Sequence, residues 1–157
     1  MFEPGTVTYG FAKNISNPKN KYAISIFRNG EAQVVIHFTT SQRRAGVPDT
    51  QIQHGINRDE DGNVVSYVFE PDREIGDTPD GGRFRFPVRT VMQFDYGFLT
   101  GDDLSLQRQF DNLEVKCHLD QKEYLDLVYA MYVSKRTPAE YKPYLEKVLE
   151  EAYNTDN

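Results

Sequence analysis

The chain has no tryptophan, three methionines, three histidines and a single cysteine among its 157 residues. One cysteine excludes an internal disulfide framework and any paired-cysteine metal site, and it fits a reducing compartment. Cys117 lies in the alternating stretch Leu113-Glu114-Val115-Lys116-Cys117, which reads as a small buried hydrophobe. Its neighbour His118 points to the opposite strand face and cannot activate it. No apolar run opens the chain and none is long enough to span a bilayer, so we expect neither membrane insertion nor secretion by an N-terminal signal, and place the protein in the cytoplasm. Positive charge is also short. A formal charge of −6 and a pI near 5.1 exclude coating of nucleic acid by bulk electrostatics, although a local basic patch remains open. No Gly-rich phosphate loop, Gly-x-Ser-x-Gly elbow, histidine-spaced metal motif, internal repeat or low-complexity tract occurs, so we expect no cofactor and no metal.

What the chain does have is aromatic bulk. Ten Tyr and ten Phe supply core for one β-rich domain over residues 1–157, with strands across 1–118 and a helical pair across 119–157. Pro4 to Phe11 and Lys21 to Phe27 read as strands. Asn29-Gly30 then predicts a two-residue type I′ turn into an apolar run, which sets Lys21 beside Thr39 to Ser41. Gly46–Gly62, Pro71–Gly82 and Gly97–Asp103 read as loops, the last with Asp102-Asp103 as an acidic turn. Asn63 to Phe69 and Leu113 to Leu119 read as strands. From Phe84 to Phe94 the even positions are apolar except Thr90, which predicts a strand, bulged or at an edge because of Pro87, with Arg83, Arg85 and Arg89 on its polar face. Two capping boxes follow. Asp120-Gln121-Lys122-Glu123 opens a helix stapled by Leu119 and Tyr124, and Thr137-Pro138-Ala139-Glu140 opens a second, unless Pro143 delays its start. Each helix carries an apolar stripe that must be buried. The fold class is therefore α+β, mainly β with C-terminal helices.

The functional signal sits in A-Q-V-V-I-H-F-T-T-S-Q-R-R-A-G, from Ala32 to Gly46. An apolar β-branched run belongs inside a sheet, and it ends in Thr39, Thr40, Ser41, Gln42, Arg43 and Arg44. Hydroxyls with planar guanidiniums suit a phosphate or a carboxylate. A strand end with an ST-turn and two solvated arginines accounts for the same residues, a solvated face accounts for Arg83, Arg85 and Arg89, and a satisfied core histidine accounts for His37.

Short strands, an Asn-Gly hairpin, V-V-I-H-F-T-T-S-Q at the second hairpin strand and a terminal helix together resemble the PemK/MazF family of toxin endoribonucleases. The resemblance covers at most Gly5 to Phe94 and rests on Thr40-Ser41-Gln42. It implies a small SH3-like barrel that cuts single-stranded RNA without metal, as in a toxin-antitoxin system, with an antitoxin as protein partner and a homodimeric state. Lys21-Tyr22 stands where the family usually has Arg-Pro, so the charge is kept and the bidentate fork is lost. In such chemistry the RNA 2′-hydroxyl attacks the adjacent phosphorus. The residues assigned are Thr40 and Ser41 to phosphate hydrogen bonds, Lys21 and Arg43 to developing charge, and His37 or His54 to proton transfer. Arg44, Arg83, Arg85 and Arg89 would bind RNA. The alternative is a non-catalytic SH3-like adaptor that contacts a protein through its Tyr/Phe-rich surface and helical pair.

Overall fold

The computed structural model describes residues 1–30 and 33–156; Ala32, the first residue of the apolar stretch, lies outside them. β1 (Thr6–Ala12), β2 (Lys19–Asn29) and β3 (Gln33–Phe38) form an antiparallel meander. β4 (Gly55–Arg58), β5 (Val64–Phe69), β6 (Gly76–Asp77), β7 (Arg83–Phe84), β8 (Thr90–Gln93) and β9 (Phe98–Gly101) follow. After α1 (Asp103–Gln107), the long β10 (Phe110–Leu119) leads into α2 (Gln121–Val133) and α3 (Lys142–Asp156). A seven-stranded sheet runs β7-β6-β10-β1-β2-β3-β9, and a three-stranded sheet runs β4-β5-β8. The architecture is mainly β with C-terminal helices, as the periodicities require.

β3 shows why its apolar run has no polar alternation. It lies between β2 and β9, with a core on each side. Val35 joins the larger core, which also takes Ile24, Tyr67, Phe94, Leu127, Met131 and Leu145. Val34 and Ile36 face a second cluster with Phe2, Ala23, Leu106 and Phe110. Both helices reach the larger core, so their apolar stripes are packed and not left wet. Among the described residues no helix is long and apolar enough to cross a membrane.

Several local expectations fail for definite reasons. The β2–β3 register pairs Asn29 with Gln33, which leaves three residues between the strands, and only Gly30 of the Asn-Gly pair takes positive φ (69°). A type I′ turn needs it at both. The run from Arg83 to Phe94 is broken at Pro87: its ends are β7 and β8, in different sheets, and Val88 between them is exposed. All three expected loops carry structure, namely β4 in Gly46–Gly62, β6 in Pro71–Gly82 and β9 in Gly97–Asp103. β6 survives at two residues because Gly76 lies against β10, where a Cβ would come within 2.1 Å of the His118 carbonyl oxygen. The Asp102-Asp103 turn is the N-terminus of α1: Asp102 accepts from the Ser105 N–H at 2.7 Å, and Asp103 holds Arg28 at 3.2 Å.

Both helices start near their expected positions without the expected caps. The Asp120 carboxylate accepts from Arg83 at 2.8 and 2.5 Å. The Glu123 carboxylate is taken by the His54 Nε2. Thr137 donates to the Met131 carbonyl at 2.7 Å, and α3 begins beside Pro143, after a single 3₁₀ turn at Ala139–Tyr141. The Lys142 ammonium meets the Met131, Tyr132 and Ser134 carbonyls, so a cation closes the C-terminal end of α2.

Candidate functional site

The end of β3 is clamped twice. Thr39 N–H donates to the Tyr22 carbonyl at 3.1 Å, and Thr40 and Val91 exchange two backbone bonds of 2.9 and 2.7 Å. That bridge ties the large sheet to the small one and fixes the direction of residues 40 to 43. The Gln42 N–H donates to Thr40 Oγ1 at 3.3 Å, so the ST-turn forms and the Thr40 hydroxyl keeps its own proton for a ligand.

Antiparallel pairing brings Lys21 to this point, as its register predicts. Its ammonium donates to the Thr39 carbonyl at 3.0 Å. Burial, then the charges of Lys19 and Arg43, lower its pKa from the usual lysine value. Two adjoining hollows open here and share Lys19, Lys21, Thr39, Thr40 and Gln42. The first, of about 250 Å³, is completed by Tyr9, Tyr22 and Ser41 among others. The second, of about 350 Å³, is completed by His37, Arg43, Gln93 and Tyr96 among others. Lys21, Thr40, Ser41 and Arg43 therefore converge, and neither hollow has an Asp or Glu among its described lining residues. In a chain of formal charge −6 this is a local cationic surface.

His37 is neither the satisfied core residue nor an accessible base. It is 1% exposed, packed edge-on to Phe98 at 4.5 Å, and neither ring nitrogen has a hydrogen-bond partner. Backbone groups of Phe38, Gln93 and Tyr96 lie beside the ring without reaching hydrogen-bond geometry, and with Asp95 they favour the charged form. Desolvation outweighs them and lowers the pKa to about 4, so the ring is neutral at pH 7. His54 is structural. Its Nδ1 accepts from the Glu70 N–H at 3.1 Å, which leaves Nε2–H to donate to Glu123.

Four arginines expected to bind RNA, Arg44, Arg83, Arg85 and Arg89, are occupied. Arg44 curls back to the Ser41 carbonyl at 2.9 Å and to Asp49 at 3.3 Å. Arg83 pairs with Asp77 and Asp120, Arg85 with Glu74, and Arg89 with Glu70 in a fork of 2.5 and 3.0 Å. The expected basic face is thus an interleaved set of ion pairs, with little charge left for an anionic ligand. Arg43 differs: it is exposed and stands over the Tyr96 ring at 5.6 Å.

Sequence reasoning missed Lys19, Tyr9, Tyr22, Gln93 and Tyr96. Lys19 was legible, since it lies two residues from Lys21 on one strand and so shares its face. Tyr22 follows Lys21 directly on β2, while Tyr9, Gln93 and Tyr96 come from other strands and turns. Among the described residues no three His, Cys, Asp or Glu side chains assemble into a group that could hold a metal ion. Cys117 is fully buried and its thiol is pushed up to about 12, mainly by desolvation, so it offers no nucleophile. No protein-family model, curated protein or solved structure matches the chain.

Proposed function

We propose that the protein binds single-stranded RNA at the Lys21–Thr40 cleft and cuts it without a metal ion, as a toxin-like endoribonuclease. One observation carries the proposal: Lys19, Lys21 and Arg43 stand with the Thr40 and Ser41 hydroxyls around hollows free of lining carboxylates. A phosphodiester suits that set, since hydroxyl and ammonium protons donate to its oxygens while Arg43 supplies charge. Exposed aromatic faces beside the cations favour unpaired bases.

The chemical roles divide unevenly. Lys21 is the group placed to neutralise the phosphorane and to protonate the departing 5′-oxygen, and its lowered pKa makes the ammonium a better acid. The buried His37 cannot reach a 2′-hydroxyl, and His54 is held by Glu123 and the Glu70 N–H. The attacking hydroxyl therefore loses its proton to solvent hydroxide. A protein-binding adaptor draws less support, because the exposed apolar side chains Phe11, Val88, Leu104 and Tyr153 lie on four separate segments and only Tyr129 and Val133 share one helix, α2.

The test is cleavage of a single-stranded RNA in EDTA, with Lys21→Met and Thr40→Ala/Ser41→Ala as controls. Expected are 2′,3′-cyclic phosphate ends, loss of cutting in Lys21→Met, and growth arrest on expression in bacteria. Cleavage that needs added metal, or no binding to RNA at all, would sink the proposal.

A further inference from the structure

The two hollows meet on one wall but differ in what they leave unsatisfied. The first is walled by Tyr9 and Tyr22, whose ring centroids lie 4.4 Å apart, and none of its lining side chains holds a buried unpartnered polar atom among those described. The second holds two such side chains: Gln93, 8% exposed with Oε1 unpartnered, and His37, 1% exposed with both ring nitrogens unpartnered. A buried acceptor without a donor is costly, and an occupant that supplies the donor recovers that cost. A half-turn of the Gln93 amide presents either its oxygen or its NH₂. Tyr96, about half exposed under Arg43, offers a stacking face at the rim.

Resting on the RNA reading above, we infer that the hollows are two base subsites flanking one phosphate, and that the hollow containing His37 and Gln93 is the one that discriminates among bases. The phosphate lies on the shared wall of Lys19, Lys21 and Thr40. One neighbouring base stacks on Tyr9 and Tyr22, where every base has a usable face, so that subsite tolerates all four. The other base enters beside Tyr96 and meets Gln93 on its hydrogen-bonding edge. A site built on hydrogen bonds rejects a base lacking the matching group, because its own polar atoms are then left unpaired. The minimal ligand is thus a dinucleotide step of unpaired RNA, read on one side only.

The experiment measures binding of tetranucleotides with a 2′-deoxy sugar at the central step, which blocks cutting, against the wild-type protein. Each base flanking the central phosphate is replaced in turn by an abasic sugar and by each of the four bases. An abasic sugar on either side should weaken binding about tenfold, the scale of one lost stack. On one side alone the four bases should differ by about tenfold or more. Gln93→Leu should abolish that preference while leaving the salt dependence of binding unchanged, and Tyr96→Ala should weaken the same side. If RNA binds with normal salt dependence yet abasic sugars cost nothing, the base subsites are wrong and the phosphate site stands. If the preference survives in a folded Gln93→Leu protein, the assignment of the discriminating hollow is wrong. Absence of any RNA binding overturns both this inference and the function on which it rests.

Discussion

Salt dependence separates cations that are free to meet a phosphate from those already neutralised. Each lysine or arginine that contacts a single-stranded phosphate contributes about 0.7 to the slope of log K against log salt. The cleft presents Lys19, Lys21 and Arg43. Three contacts give a slope near −2, or roughly a 20-fold loss of affinity between about 50 and 200 mM salt. Arg43→Ala should lower the slope by about 0.7. Arg44→Ala should leave the slope nearly unchanged, because that guanidinium is spent on the Ser41 carbonyl and Asp49. Arg85→Ala should do the same, since Glu74 lies 3.3 Å from its guanidinium. The assay is fluorescence anisotropy of a labelled, uncuttable RNA at five salt concentrations, with each variant checked for folding. If Arg85→Ala flattens the slope as much as Arg43→Ala, RNA does not lie in this cleft, and charge-pairing geometry is a poor guide to which arginines bind.

Lys21 sets a second expectation. With solvent hydroxide as base and its ammonium as acid, the cutting rate should rise with pH and then level off above a pKa below 10.5, where each gain in hydroxide is offset by loss of ammonium, and Lys21→Arg should let the rise continue; an unchanged profile would mean that Lys21 is not the acid. His37 gives a stability signature with a definite sign. Its folded pKa of about 4 lies below the free value of 6.5, so the unfolded chain binds the proton first and stability falls as pH drops from 6.5 towards 4. The full loss is about 3 kcal/mol, and urea midpoints at pH 7 and pH 5 should differ more in wild type than in His37→Phe; equal differences would show that His37 titrates normally. Leu145, fully buried where α3 meets the core, should cost about 2–5 kcal/mol when cut to alanine, and a loss of only tenths would mean that α3 is not packed.

Periodicity and local chemistry determined much of this protein by themselves. The apolar run of β3 required neighbours on both sides. Antiparallel pairing with β2 required Lys21 to meet Thr39 and Thr40, and both do so because strand register is a short-range constraint. Amphipathic stripes required two docked helices. What remained open was which polar groups would find partners, since that depends on segments distant in sequence. Arg83 looked available until Asp120, 37 residues away, came within 2.5 Å; Arg89 looked available until Glu70, 19 residues away, closed a fork on it. The same long-range pairing diverted both capping carboxylates of α2, one to Arg83 and one to His54. β6 and β7, at two residues each, are too short to carry a period and exist only because β10 lies alongside β6. The neutral state of His37 likewise comes from burial against Phe98, at 4.5 Å on a strand that reads as a loop. Charge on a side chain is written in the sequence. Whether that charge is left over for a ligand is decided by tertiary packing, because burial and the nearest opposite charge set its free energy.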